Sequence, residues 1–464
     1  MARAITKLTN TMDQLYEYER EPIPPEKLQP GRYYAGLLAG EHVAGTEFVI
    51  GAYFVLHGVR ASDLFLGLFL GNLLAVLSWT FICAPIATDT RLTLYWYLRR
   101  IAGPGLTLIY NIANGVLFCI LAGAMISVSA TAVGITLGIP APALNDVLPH
   151  SLGWILTAFV IGMAFTLLAI LGFKTLSRFG GVCSPWIFVA FAAGAIATLP
   201  RLGVHPNLDN LWQIAQTKIW TGVPTAGQEK FGLWHVLFFA WFCNLAMHVG
   251  LSDLALFRFA RHWSYGLYSA FGMYLGHYLA WICSGVMVVA VNREMNPGLM
   301  AVEALGISGA VAVLLAGWTT ANPTLYRAGM AFQCIIPSWS RWKVTLLAGL
   351  ITTFLACFPV FFLKLLDFVA LYGLVLMPVG AIVLAEHWIF PKLGLEQYVA
   401  EKYGISIRWS VLLVWVGTLA ACAVMPLHLF YRWLPGYGFA LVSYIAIEVG
   451  LKRNRIAKLT RSLS

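Results

Sequence analysis

From Tyr33 to Gly450 long apolar runs alternate with short polar connections, and the runs are about the 20 residues that a helix needs to cross a hydrocarbon core. This pattern predicts an all-α integral membrane protein of about twelve transmembrane helices. Their predicted ranges are 33–58, 63–88, 105–136, 151–173, 182–200, 232–257, 265–291, 302–326, 343–358, 361–388, 409–425 and 433–451. The longest hydrophilic connections are 201–231 and 390–408, so no soluble domain is inserted, and function is expected among the helices. The second connection, with Glu396, Glu401 and Lys402, is expected to form a short surface helix.

Two spans break this apolar pattern at mid-depth. The first carries Gly36, Gly40, Glu41, His42, Gly45, Thr46 and Glu47, and the sixth carries Asn244, His248, Gly250, Ser252 and Asp253. A carboxylate near the bilayer centre costs roughly 2.5 to 3.5 kcal/mol on insertion scales, so two acids in one span require partners or a task. Interrupted spans at matching places in two halves of a chain point to a transporter whose substrate binds between broken helices.

Composition agrees with a bilayer as the solvent: 59% of the 464 residues are hydrophobic and 11% are charged. The first thirty residues are polar, with Asp13, Glu17, Glu19, Arg20 and Glu21 before Pro22–Pro25, and are expected to stay cytoplasmic without a cleavable signal. With the amino terminus inside, 23 of the 30 Lys and Arg residues fall in cytoplasmic segments, which predicts a multi-pass protein of the plasma (inner) membrane with both termini cytoplasmic. The net charge of +10, including the tail Lys452, Arg453, Arg455, Lys458 and Arg461, then faces an anionic leaflet, and no nucleic-acid partner is expected. Trp79, Trp96, Trp388, Trp409 and Trp433 near span ends read as interface anchors, and the eight cysteines, without CxxC spacing, as free buried thiols.

Three segments carry a family resemblance. Ala316-Gly317-Trp318-Thr319-Thr320-Ala321-Asn322 resembles the Trp-Ser/Thr-Thr-Asn segment of the nucleobase-cation symporters. Gly71-Asn72-Leu73-Leu74, leading to Ala87-x-x-Thr90-Arg91-Leu92-Thr93 and Leu98-Arg99, looks like the second span and following loop of bacterial cytosine permeases. Met377-Pro378-Val379-Gly380 through Ala385-Glu386 is similar to the family's Pro-Pro-x-Gly-Gly run in span ten. With Phe257-Arg258-Phe259-x-Arg261, the resemblance implies a LeuT-type fold: two inverted five-helix repeats, broken at spans one and six, plus two extra helices. The implied division is a cytoplasmic segment 1–32, repeats 33–200 and 232–388 around an outer loop 201–231, spans eleven and twelve within 389–451, and a basic tail 452–464.

The resemblance also implies a Na+ coupling ion, held by the carbonyls of Gly40, Val43 and Ala316 and the hydroxyls of Thr319 and Thr320. Five oxygens suit a hard cation. The competing reading is that both threonines bond back to carbonyls three or four residues earlier. For the substrate, Leu117 takes the place of the family's stacking Trp in span three, beside Phe118, and Asn114 takes the place of its amide. Trp241, Asn244 and His248 surround the break in span six, and Asn322 stands one position beyond the family's Asn. Glu41 is expected either to meet a cationic substrate group or proton, or to be a buried acid bonded to exposed amides; His42 and Glu47 carry the same ambiguity.

These readings imply cation-coupled symport, by Na+ or H+, of a nucleobase or related small nitrogen compound. An amine carrier of the same fold and a ligand sensor that does not transport are the alternatives. A membrane enzyme is not expected, because the ten histidines are scattered without HxxxH or HxxHH spacing.

Overall fold

The computed structural model describes residues 12–142, 146–291, 296–358 and 365–463. Residues 1–11 of the amino-terminal segment and 361–364 at the start of the predicted tenth span lie outside the described residues. The chain is all-helical, without a strand among the described residues. Seven of the described helices are long and apolar enough to cross a membrane alone, among them Ala61–Thr90, Pro104–Thr136 and Phe173–Leu202. Of the remaining predicted spans, the eighth is one continuous helix of 29 residues, Ile307–Ile335, and the others are met by shorter or interrupted helices.

The first span is two half-helices, Gly31–Glu41 and Glu47–Leu56, joined by an unwound stretch. The sixth is broken likewise: Leu233–Phe242 ends at Cys243, the single turn Leu245–His248 follows, and Leu254–Phe257 resumes after Leu251 in the left-handed region at φ 65°. These breaks fall where polar and glycine residues interrupt the apolar pattern, since a chain inside a membrane leaves the helix only where its backbone is buried in protein. The eighth span, Ile307–Ile335, and the third, Pro104–Thr136, cross closely: a Cβ on Gly317 would lie 2.9 Å from the Met125 carbonyl.

Packing explains two of the first span's glycines. A Cβ on Gly36 would stand 2.7 Å from the Ser177 carbonyl, and one on Gly40 would stand 2.8 Å from Gly180 Cα. The Gly36-x-x-x-Gly40 face therefore meets Gly180 and Gly181 of span five at backbone contact, the small-residue packing that brings helices together in lipid. Span ten does the same to span six, where Gly380 abuts the backbone of Val249. The outward faces are apolar: Leu156 and Val160 on span four, Val182, Trp186 and Val189 on span five, and Leu413 and Val416 on span eleven are exposed. Such faces suit hydrocarbon.

Several boundaries move. The fifth helix begins at Phe173, nine positions before its predicted start, so Lys174 and Arg178 are helical rather than loop. The eighth runs on to Ile335, and residues 302–305 belong instead to the preceding helix Pro297–Leu305. Arg258, Arg327 and Arg341, sorted as loop cations, are 0%, 0% and 2% exposed, because each guanidinium is drawn inward by carboxylates or carbonyls. Trp79 and Trp433 are likewise interior rather than interfacial: the Trp79 indole donates to Asp253 at 2.7 Å, and Trp433 packs edge-on against Trp241.

The amino-terminal segment is tied across the ends of several spans. Arg258 Nη2 donates to the Glu17 carbonyl at 2.8 Å, Arg341 Nη2 to the Leu15 carbonyl at 3.1 Å, and the Phe173 amide to Glu17 Oε1 at 2.9 Å. Ser340 and the Trp342 indole both donate to Asp13 Oδ1, and these two bonds hold its carboxyl below its ordinary range.

Candidate functional site

A cavity of about 60 Å³ lies where the breaks in spans one and six face span eight, and because a single water needs roughly 10–15 Å³, it has room for a few waters. Its polar wall is Glu41, His42, Thr46 and Glu47 from span one, Asn244 from span six, His277 from span seven, Thr320 from span eight and Tyr372 from span ten. Ile50, Leu121, Phe239, Phe242 and Met247 supply apolar wall.

Behind one side of the cavity stands a buried charge cluster. Arg327 Nη1 and Nη2 donate to Glu41 Oε1 and Oε2 at 2.5 and 3.0 Å, the parallel two-bond geometry of a guanidinium on a carboxylate. Its Nε donates to Asp253 Oδ1 at 2.9 Å, and Nη2 reaches the same oxygen. Trp79 completes Asp253 through Oδ2. The cluster joins spans one, two, six and eight, and Phe118 lies beneath the guanidinium with its ring centroid 5.7 Å away.

Glu47 sits differently. The Trp281 indole donates to its Oε2, and His277 Nε2 lies 3.8 Å from Oε1. The His277 ring stacks on Trp281 at 4.4 Å between centroids and meets the His42 ring edge-on at 5.4 Å. The Nδ1 of His42 is 2.8 Å from the Leu38 carbonyl. A carbonyl only accepts, so Nδ1 carries the proton and, in the neutral ring, Nε2 is a lone pair.

The structure brings some predicted substrate residues to this cavity and separates others. Glu41 and Asn244 line it, and Asn244 Nδ2 is 3.5 Å from His277 Nε2. Asn114 lies outside, within a buried network: Tyr95 donates to its Oδ1 at 3.1 Å, and its Nδ2 donates to Ser252 at 3.2 Å and Tyr110 at 3.3 Å. Phe118 packs edge-on against Tyr372, and Leu117 is partly buried beside the same core. The Trp241 indole donates to Ser78 at 3.0 Å, while its carbonyl is 3.0 Å from His248 Nε2. Asn322 is 1% exposed, and neither amide atom has a partner among the described residues.

At the expected ion position, Thr320 Oγ1 donates to the Glu41 carbonyl at 2.8 Å and lies 3.0 Å from the Ala316 carbonyl. Thr319 Oγ1 turns back on its own helix, 3.0 Å from Leu315 O and 3.2 Å from Ala316 O. Thr320 thus spans from helix eight to the unwound end of helix one, immediately after Gly40 and two positions before Val43. The break itself packs on span eight, since a Cβ on Gly45 would lie 3.7 Å from the Val313 carbonyl. A helix end that presents carbonyls beside hydroxyls suits a cation.

Sequence reasoning missed three groups. Arg327 was placed outside its span, Asp253 was read only as an interruption, and His277 was not singled out. A signal for His277 exists: it stands four positions before Trp281, and such residues share one helix face.

No family model and no curated relative matches the chain. Solved structures do. The structure of Mhp1, a nucleobase-cation-symport-1 family transporter in a closed conformation with bromovinylhydantoin bound, superimposes with a TM-score of 0.70 at 14% identity, over 93% of this chain and 95% of that one. The inward-facing conformation of Mhp1 gives 0.68 at 15% identity, over 94% and 95%. A Na+-coupled sialic acid symporter in a substrate-bound outward-open state gives 0.65 at 11% identity, over 94% of each chain. The chain has the fold of these multi-pass membrane proteins.

Proposed function

We propose that the protein is a secondary transporter that couples uptake of a small nitrogen compound, of the nucleobase class or related to it, to a cation gradient by alternating access, and that it is a divergent member of the nucleobase-cation-symport-1 family. The observation that carries this reading is the pairing of a cavity between the broken helices with the Thr320 bridge, which ties the break in span one to span eight. Both features lie between broken helices, where the fold leaves backbone groups free to bind ligands. The proposed Na+ would draw on Gly40, Val43 and Ala316 carbonyls and the Thr319 and Thr320 hydroxyls; for Thr319 this requires turning from its present helix carbonyls. In the cell the protein would lie in the plasma membrane with both termini cytoplasmic.

The test is thermal stabilisation of the purified protein by purines, pyrimidines and hydantoins with and without sodium, because a ligand of the folded state stabilises by RT ln(1 + [L]/Kd). Sodium should strengthen the effect of the active heterocycle, and Thr320→Ala should remove that dependence. Stabilisation indifferent to sodium would sink the proposed ion site.

A further inference from the structure

The polar wall of the cavity and the cluster behind it are one-sided in charge. Glu41, Glu47 and Asp253 are each at most 3% exposed, and Arg327 is the guanidinium among them. Arg327 donates to Glu41 and Asp253 and not to Glu47, so three carboxyl groups share one fixed cation and Glu47 is the one it does not reach. The nearest basic group to Glu47 is His277, whose ring carries charge only when protonated. His42, 1% exposed, directs an unpartnered Nε2 lone pair that its bond to the Leu38 carbonyl keeps as an acceptor. Buried acceptors and an unmatched carboxylate are costly unless a donor or positive charge meets them.

We propose that this cavity binds a substrate through a positively charged nitrogen group, an ammonium, amidinium or protonated heterocycle, with Glu47 as its anion and His42 Nε2 as a second acceptor. The inference rests on the reading of the cavity as the transport site and narrows its substrate class. An amidinium offers two N–H donors in one plane, one for a carboxylate oxygen and one for an imidazole lone pair. Thr46 and Asn244 border the same space, and the aromatic residues Phe239 and Phe242 line it, a ring type that attracts cations and not anions where its face is presented. Glu41, held by both of its oxygens on Arg327, acts as the scaffold of the wall and not as the anchor.

Acetamidinium, acetamide and acetate are nearly isosteric planar probes of charge +1, 0 and −1, small enough for a narrow cavity. Binding to the full-length purified protein is followed by thermal shift and by Trp fluorescence, Trp281 being in contact with Glu47. Acetamidinium should bind at least about tenfold more tightly than acetamide, acetate should not bind, and Glu47→Gln should remove the preference. Equal binding of acetamide and acetamidinium by the unaltered chain would overturn the proposal without reliance on any variant, and so would a preference that survives Glu47→Gln. Counterflow in proteoliposomes separates this from the transport reading: uracil exchange without amidinium binding refutes only the charged-substrate inference. Amidinium binding with no exchange of any probe keeps the site and refutes transport.

Discussion

Removal of the guanidinium at position 327 is the sharpest test of how the helices are held together. Arg327→Met leaves Glu41 and Asp253, 3% and 0% exposed, without their cation. Four N–H contacts disappear, and charge-assisted bonds contribute about 1.5–3 kcal/mol each in isolation. They share one group and do not add, so the expected loss is the roughly 3–5 kcal/mol typical of a broken buried pair. Most of that loss is the cost of two uncompensated carboxylates, which sets a second expectation. The triple variant Arg327→Met, Glu41→Gln, Asp253→Asn should recover most of the stability, to within about 1–2 kcal/mol of the parent, because no charge remains in this cluster. Arg327→Lys should fall between, since a single ammonium cannot fork onto two carboxylates as the guanidinium does. Equilibrium unfolding in detergent, followed by Trp fluorescence and arranged as a double-mutant cycle, measures each term. A single-variant loss below about 1 kcal/mol, or no recovery in the triple variant, would refute the reasoning.

Other consequences can be checked by simpler means. Gly40→Ala places a Cβ 2.8 Å from the backbone of Gly180, where nothing can rotate aside, and should cost about 1–3 kcal/mol in thermal or denaturant unfolding. Arg341→Ala removes bonds to the Leu15 and Ile170 carbonyls and an ion pair with Glu19, so amide exchange of residues 12–30 should quicken while the span cores stay protected. In the loop before the last span, burial holds the His428 imidazole below its usual range, partly opposed by Glu229 and reinforced by Arg432. The unfolded chain therefore binds the proton first as pH falls below about 6.5, and stability should decline there; His428→Gln should flatten that part of the profile.

The sequence by itself determined the solvent, the number and rough placement of the spans, and which two are broken, because hydropathy and helix length are local quantities and a bilayer leaves little choice of secondary structure. It also marked the first-span acids, Asn244 and Thr320, since polar atoms at mid-depth require a reason to be there. What it did not contain was the partner of each. Arg327 pairs with residues 286 and 74 positions away, and a hydropathy window that meets an arginine ends the span rather than burying it. The same distance effect hid the roles of Trp79 and Trp433, which look like interface anchors until a carboxylate or a second indole from another helix encloses them. Asn114 shows the reverse: its position in span three is polar as expected, yet Tyr95, Tyr110 and Ser252 occupy its amide and keep it from the cavity. Which buried charge is neutralised and which is left for a ligand is a property of packing between helices, so only the tertiary structure could separate Glu41 from Glu47.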